Sequence, residues 1–369
     1  MPQNILFFAD RLPPLPGGME VHAGYFIEYF TNHPRFTLAG VITKNGKGED
    51  CLVKGTDKFL INLKELPESF APTFVFFNSG RWIEELRQIR NLFPSPTFLY
   101  RTGGNEIIKA PLPHNQIPDH SSRQTYWAST LNETIDLMIT NSAFTEARLR
   151  ALDLTCPFVR VVGGVNTAAL KTKDTPHNTQ PIRIFCAARF VPYKNHGLLI
   201  SLIQNLTLRG HNIKLRLAGD GPLFTQIQQQ VQQYELRPNV EFLGVLDNKQ
   251  TCQEITQADI YMQLSRDYVT EVEGGSYIHS EGMGRSILEA LTAGTFVIAG
   301  NSGAFSEIVT KERGLLVDLD NINQITDKIE GIIKNPPPRQ PFMNDYCWAN
   351  IFKRYERILE DFNENIVSH

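Results

Sequence analysis

The segment Ser280-Glu281-Gly282-Met283-Gly284-Arg285-Ser286-Ile287-Leu288-Glu289 places two carboxylates eight positions apart around a Gly-x-Gly turn. Glycines at a helix start leave main-chain N–H groups open to close approach by an anion. Carboxylates beside them accept hydrogen bonds from hydroxyls. Phosphate-binding backbone flanked by hydroxyl-binding carboxylates is what a nucleotide sugar requires. Eight residues of helix turn through roughly 80° beyond two full turns. Glu281 and Glu289 therefore do not share one helical face, and are expected to hold different parts of one extended ligand. Structural alternatives stay open: Ser286 and Glu289 also fit a capping box, and Glu281 also reads as an exposed loop carboxylate.

Three further segments carry related chemistry. Arg189 and Lys194 stand on a loop after the strand-like run ending at Cys186-Ala187. At the C-terminal end of a strand, where open α/β sheets bind ligands, two such cations can neutralise a diphosphate. Leu217-Ala218-Gly219-Asp220-Gly221-Pro222-Leu223 reads as strand, Gly-x-Gly turn and helix start. A dinucleotide fingerprint would place a third glycine where Phe224 stands, so an NAD enzyme is disfavoured, and a plain tight turn remains the alternative. Gly300-Asn301-Ser302-Gly303-Ala304-Phe305-Ser306-Glu307-Ile308 follows another apolar run, and its Gly303 is a second candidate for a helix start facing phosphate.

Short runs rich in β-branched and aromatic residues, apolar on both faces, must position these loops. They are Ile5–Ala9, Leu38–Ile42, Phe74–Phe77, Thr97–Tyr100, Leu137–Thr140 and Phe158–Val162 in the first half, and Arg183–Ala187, Lys214–Ala218, Val240–Leu243, Asp259–Gln263, Thr295–Ala299 and Gly314–Val317 in the second. Such runs suit buried parallel strands. Helical periodicity marks Glu20–Phe30, Glu84–Leu92, Ala143–Leu152, His196–Arg209, Leu223–Tyr234 and Asn323–Ile333 between them. This alternation predicts an α/β protein with two doubly wound domains, 1–175 and 176–345, joined near the polar segment Lys171–Gln180. After Pro336-Pro337-Pro338, residues Trp348, Ile351, Phe352, Tyr355, Ile358, Leu359 and Phe362 recur at helical spacing. They predict a last helix within 346–369, serving as core and crossing back towards the first domain.

A chain of 369 residues with 41% hydrophobic and 20% charged residues is expected to be a two-domain globular protein. A net charge of -3 gives no general attraction to nucleic acid. The five scattered cysteines contain no Cys-x-x-Cys, which argues against a disulfide framework or a zinc site. No apolar run approaches about 18 residues, so no membrane span is expected. A cytoplasmic location follows, with peripheral membrane contact left open.

The order of these segments resembles glycosyltransferase family 4, retaining enzymes of the GT-B fold, over nearly the whole chain. The likeness is carried by Arg189 and Lys194, Ala218–Gly221, Asn239–Gly244, the two-glutamate block, Gly303–Val309 and Gly314–Val317. In the first half it rests on Gly17-Gly18-Met19-Glu20-Val21-His22, Thr140-Asn141-Ser142 and Gly164-Val165-Asn166. The resemblance implies two Rossmann-like domains facing each other across a cleft, an acceptor-binding one first and a nucleotide-sugar-binding one second. It implies that Arg189 and Lys194 bind the donor diphosphate and that Glu281 contacts sugar hydroxyls. Gly282, Met283 and Gly284 would present main-chain donors, and Glu289 would hold the ribose. Gly219, Arg285 and Ser286 belong to the same donor-binding set, with Gly17 and Gly18 opposite. His22 is expected either to face the cleft or to serve as a capping or packing histidine. The family's usual first-domain histidine is replaced within Arg101-Thr102-Gly103-Gly104-Asn105-Glu106, so Arg101, Asn105 or Glu106 is expected to reshape the sugar or acceptor pocket. Glu271–His279 lengthens the loop before Glu281 and is expected to act as a lid or to help set sugar specificity.

The resemblance further implies retention by front-face attack, the departing phosphate oxygen helping to deprotonate the acceptor hydroxyl, with no cofactor. Asp318-Leu319-Asp320 matches a metal-binding D-x-D string, but its place after a strand end speaks against a metal. The expected donor is a UDP-hexose or UDP-N-acetylhexosamine, and the acceptor a carbohydrate, lipid-linked or small-molecule hydroxyl in polysaccharide or glycoconjugate biosynthesis. Three alternatives stay open: glycosylation of 2-deoxystreptamine, suggested by Arg101–Leu112 with Glu273–Arg285; a nucleotide-sugar epimerase or sugar phosphorylase; and a non-catalytic nucleotide-sugar-binding protein.

Overall fold

The computed structural model describes residues 3–14, 17–43, 71–78, 80–110, 117–170 and 181–367. The polar segment Lys171–Gln180 lies outside them, as does Leu112. The chain divides into two compact units. One comprises Met1–Gly164, Thr270–Tyr277 and Trp348–His369, the other Val165–Val269 and Ile278–Cys347.

In the first unit, β1 (Gln3–Ala9), β2 (Phe36–Thr43), β3 (Phe74–Phe77), β4 (Thr97–Thr102), β5 (Leu137–Thr140) and β6 (Phe158–Arg160) form a six-stranded sheet in the order β2-β1-β3-β4-β5-β6. Every pairing is parallel. Successive residues of β1 enter opposite cores: Ile5, Phe7 and Ala9 one, Leu6 and Phe8 the other. That alternation explains why the run is apolar throughout. Helices α1 (Gly18–Thr31), α2 (Leu86–Leu92), α3 (Asn105–Ile108), α4 (His120–Thr134) and α5 (Ala143–Arg150) connect these strands.

The second unit repeats the plan with β7 (Ile182–Ala187), β8 (Ile213–Ala218), β9 (Val240–Gly244), β10 (Ile260–Gln263), β13 (Phe296–Gly300) and β14 (Gly314–Val317), ordered β14-β13-β10-β7-β8-β9 and again parallel. Its helices are α6 (His196–Leu208), α7 (Phe224–Gln233), α8 (Asn248–Gln257), α9 (Arg285–Thr292), α10 (Phe305–Ile308) and α11 (Ile322–Lys334). These two doubly wound α/β sheets are the GT-B architecture. In each sheet the strand order reverses beside the first strand of the unit, β1 or β7. Open α/β sheets bind ligands outside the strand ends at that point.

The last helix, α12 (Trp348–Val367), buries Trp348, Ile351, Phe352, Tyr355 and Leu359 in the first unit's core beside Phe26 and Phe30 of α1. The expected loop over Glu271–His279 is instead a pair of strands, β11 (Tyr268–Val272) and β12 (Gly275–His279), which form their own two-stranded sheet. The tip is fixed within the first unit. Gly274 has φ +74°, and a Cβ there would lie 1.8 Å from the Pro118 carbonyl oxygen. His120 N–H donates to the Gly274 carbonyl at 3.2 Å, and the Arg123 guanidinium donates to that of Glu273. Tyr268, Val269 and Ile278 favour an extended backbone and outweigh the glycine and glutamate content of the segment.

Candidate functional site

In the second unit, the loops after β7 and β8 are laced together through their main chains. Ala188 N–H donates to the Ala218 carbonyl at 3.0 Å, Phe190 N–H to that of Asp220 at 3.0 Å, and Leu223 N–H to that of Phe190 at 3.0 Å. Only glycine allows this approach. Gly219 has φ +130°, and a Cβ there would sit 2.1 Å from the Ala188 carbonyl oxygen. The web carries Arg189, whose exposed side chain makes no hydrogen bond or ion pair with a described residue, and ends at Lys194.

Lys194 Nζ lies 2.5 Å from Glu281 Oε1, with the two side chains 16% and 12% exposed. The contact is an ion pair without hydrogen-bond alignment, and that oxygen has no other hydrogen-bond partner among the described residues. The backbone of Glu281 is held by the loop after β13. Ala304 N–H donates to its carbonyl at 2.9 Å, and a Cβ on Gly303 (φ +58°) would lie 2.3 Å from the same oxygen. Gly282 and Met283 follow, half-buried, and Gly284 caps α9 in the left-handed region at φ +76°. Gly303 thus holds Glu281 in place, and the helix after it, α10, spans only Phe305–Ile308.

Glu289 is deeply set, its side chain 3% exposed. Its Oε1 accepts from Asn248 Nδ2 at 2.8 Å and from Arg285 Nε at 3.2 Å. The capping-box alternative does not form, because the cap residue is Gly284, which makes no side-chain bond. Ser286 serves elsewhere: its hydroxyl accepts from Tyr261 at 2.7 Å, in a buried group with Gln263 and the Ala187 carbonyl. Asn248 was not foreseen. Its signal was the Asp247-x-x-Gln250 pattern, a capping box that does form and opens α8.

His196, also unforeseen, is 2% exposed and stacks on Phe190 with ring centroids 4.1 Å apart. Neither ring nitrogen has a hydrogen-bond partner among the described residues. Burial, and then the Lys194 charge, push its pKa down to about 4. The ring is therefore neutral at physiological pH.

In the first unit, Gly17 precedes α1 at φ +153° and packs on the Glu20 carboxylate, which pairs with Arg11 at 2.7 Å, while a Cβ on Gly18 would meet nothing within 4 Å. Of the roles open to His22 the packing one holds: it is fully buried, with Nε2 3.1 Å from the Tyr355 hydroxyl. Burial and the Arg101 charge hold its pKa well below the usual histidine value, outweighing Asn78. Arg101 Nε donates to the same Tyr355 hydroxyl at 3.1 Å. The structure thus brings His22 and Arg101 together, and leaves Asn105 and Glu106 apart from them. Asn105 accepts from Arg148 Nη1 at 3.1 Å. Glu106 accepts from the Thr102 hydroxyl at 2.6 Å and Gly103 N–H at 2.9 Å, which ties down the turn after β4.

Asp318 and Asp320 lie just after β14, where Asp320 N–H donates to Asp318 Oδ1 at 3.2 Å. Among the described residues no group of three or more His, Cys, Asp or Glu side chains is placed to hold a metal ion, and no helix is long and apolar enough to cross a membrane.

The second unit can therefore grip a diphosphate with a free guanidinium and an ammonium. Its paired carboxylate and a buried one supply hydroxyl acceptors. The two six-stranded parallel sheets define a GT-B fold. The sucrose-phosphate synthase of Thermosynechococcus elongatus superimposes with a TM-score of 0.75 over 98% of this chain and 100% of its own, at 16% identity. Anabaena HepE, solved with UDP and glucose, gives 0.70 over 100% of both chains, at 16% identity. Residues 169–345 match the glycosyl transferases group 1 family. The GDP-mannose-dependent monoacylated alpha-(1-6)-phosphatidylinositol monomannoside mannosyltransferase of Corynebacterium glutamicum is 24% identical over 359 residues, 90% of each chain. The matched segment, residues 169–345, is a group 1 glycosyltransferase domain, and the fold of the chain is that of the GT-B glycosyltransferases.

Proposed function

We propose that the chain transfers a hexose or N-acetylhexosamine from a UDP-sugar to a hydroxyl of a carbohydrate or lipid-linked acceptor, with retention and without a metal. The observation that carries this reading is the Lys194–Glu281 pair at 2.5 Å, with the exposed Arg189 on the same loop as Lys194 and the Gly282–Gly284 backbone directly after Glu281. A nucleotide sugar offers each member of that pair a better partner: phosphate for the ammonium, a sugar hydroxyl for the carboxylate. As the anomeric bond breaks, negative charge grows on the leaving phosphate, and fixed cations stabilise it there. The uracil base is supported by the UDP held in HepE, and the C. glutamicum relative, which uses GDP-mannose, makes guanine the competing base.

The test is release of nucleoside diphosphate from UDP-glucose, UDP-N-acetylglucosamine and GDP-mannose across a panel of acceptors, with and without a chelator. A UDP-sugar should be consumed, chelator should leave the rate intact, and anomeric configuration should be kept. Lys194→Ala or Glu281→Ala should lower kcat/KM by at least about 100-fold, the order seen when one charge-stabilising group is lost. Full turnover by either folded variant refutes the assigned site, and consumption of GDP-mannose alone refutes the base.

A further inference from the structure

Arg101 is a buried guanidinium that forms no ion pair with a described residue. It sits near the C-terminal end of β4 and is 6% exposed. Nε donates to the Tyr355 hydroxyl at 3.1 Å, and Nη1 reaches the Met19 sulfur at 3.0 Å and Asn78 Oδ1 at 3.4 Å. Nη2 donates to none of the described residues. A thioether is a weak acceptor, and a hydroxyl shared with His22 is a poor substitute for a carboxylate. Two acidic side chains of the flanking elements are committed elsewhere: Glu20 of α1 to Arg11, and Glu106 of α3 to Thr102 and Gly103.

Arg123 of the same unit shows how this fold buries an arginine for structure. It is 1% exposed, and its donors are taken by the carbonyls of Ala110, Ile117, Pro118 and Glu273. Arg101 has no such set. A charge withdrawn from water without compensation is costly to the fold, and is kept where something else completes it. A second observation points the same way. His22, in contact with the same Tyr355 hydroxyl, is fully buried and its Nδ1 has no hydrogen-bond partner among the described residues. Arg101 and His22 meet near the C-terminal ends of β3 and β4 and the start of α1, one strand from the point where the order of the first sheet reverses.

We propose that Arg101 is the anchor of an oxyanion subsite in the first unit, and that a substrate of this protein carries a carboxylate or a phosphate monoester there. A planar guanidinium with a free Nη2 suits either group. That the anion belongs to a carbohydrate substrate rests on the glycosyltransferase reading; the subsite itself does not.

The test is calorimetric titration of the full chain, with UDP present in excess to engage the second unit, using glucose, glucuronate, glucose 6-phosphate and inorganic phosphate. One of the anions should bind at least about tenfold more tightly than glucose, the gain of a charge-assisted pair. Glucuronate against glucose 6-phosphate distinguishes carboxylate from phosphate ester, and inorganic phosphate tells whether the sugar is needed. Arg101→Met should abolish the preference and Arg101→Lys should keep part of it. Arg101→Met should also melt at or above the wild-type temperature, because it removes an uncompensated charge. The inference is overturned if no anion outbinds glucose in the wild type, if the preference survives Arg101→Met, or if that variant melts several degrees lower. Anion binding through Arg101 without turnover of any nucleotide sugar would sink the transferase reading and keep the subsite. Turnover without anion preference would do the reverse.

Discussion

His196 should make the second unit lose stability as pH falls. The ring is 2% exposed, stacked on Phe190 and free of hydrogen-bond partners among the described residues, so the folded state holds it neutral down to about pH 4. In the unfolded chain it takes up a proton near the ordinary value of 6.5. Between those limits the unfolded state binds the extra proton, so stability rises with pH and the contribution is lost as pH falls. From pH 7.5 to pH 4.5 the loss attributable to this ring is about 2.5 kcal/mol, at 1.36 kcal/mol per unit. His22 is displaced in the same direction in the first unit, so the wild-type slope alone assigns nothing. The difference between the wild type and His196→Leu isolates the ring. All three tryptophans, Trp82, Trp127 and Trp348, belong to the first unit, which makes fluorescence blind to this event. Urea unfolding followed by far-ultraviolet circular dichroism, with an NMR titration of the ring proton, measures it. An His196→Leu protein with the wild-type pH slope, or a ring that titrates near 6.5, refutes the reasoning.

Two further outcomes follow from packing. Gly219→Ala places a Cβ 2.1 Å from the Ala188 carbonyl at φ +130°, and should cost roughly 2 kcal/mol or more and weaken UDP binding by spreading the two loops. Gly18→Ala, with open space around it, should be neutral or slightly stabilising; thermal melts and UDP titrations of both variants check the contrast. Phe352→Ala removes a ring that is 1% exposed and packed on Trp348 and Phe26, and should cost about 3–5 kcal/mol, read from urea unfolding by tryptophan fluorescence.

The strands were legible because both faces of each sheet are covered, which forces unbroken apolar runs such as Ile5–Ala9. Helices α4 and α8 were not, because serine, threonine, asparagine and glutamine dilute their apolar stripe. Their caps were the better signal: Asp119 accepts from Ser122 N–H, and Asp247 from Gln250 N–H. The two-glutamate block stood out as a candidate site, since a glycine turn between carboxylates has few structural uses. That Lys194 meets Glu281 could not, because the contact joins segments 87 positions apart through the strand order. His22 stayed undecided between cleft and packing, because its place on α1 is compatible with either face until α12 covers one of them. At Arg101 the sequence offers a charge, and only the neighbours reveal that no described residue neutralises it.

The first unit is encoded in three pieces, the last of which begins at Trp348. A ribosome making this chain releases α1 long before α12, so Phe26, Phe30 and His22 wait uncovered while the whole intervening stretch is translated. The later-encoded unit, Val165–Val269 with Ile278–Cys347, has all its strands in hand before then. On this layout the first unit would close after the second, against the usual order in which the amino-terminal body closes first. A stop codon placed shortly before Trp348 would leave a sticky aromatic surface open for good, and the product would be a client for chaperones.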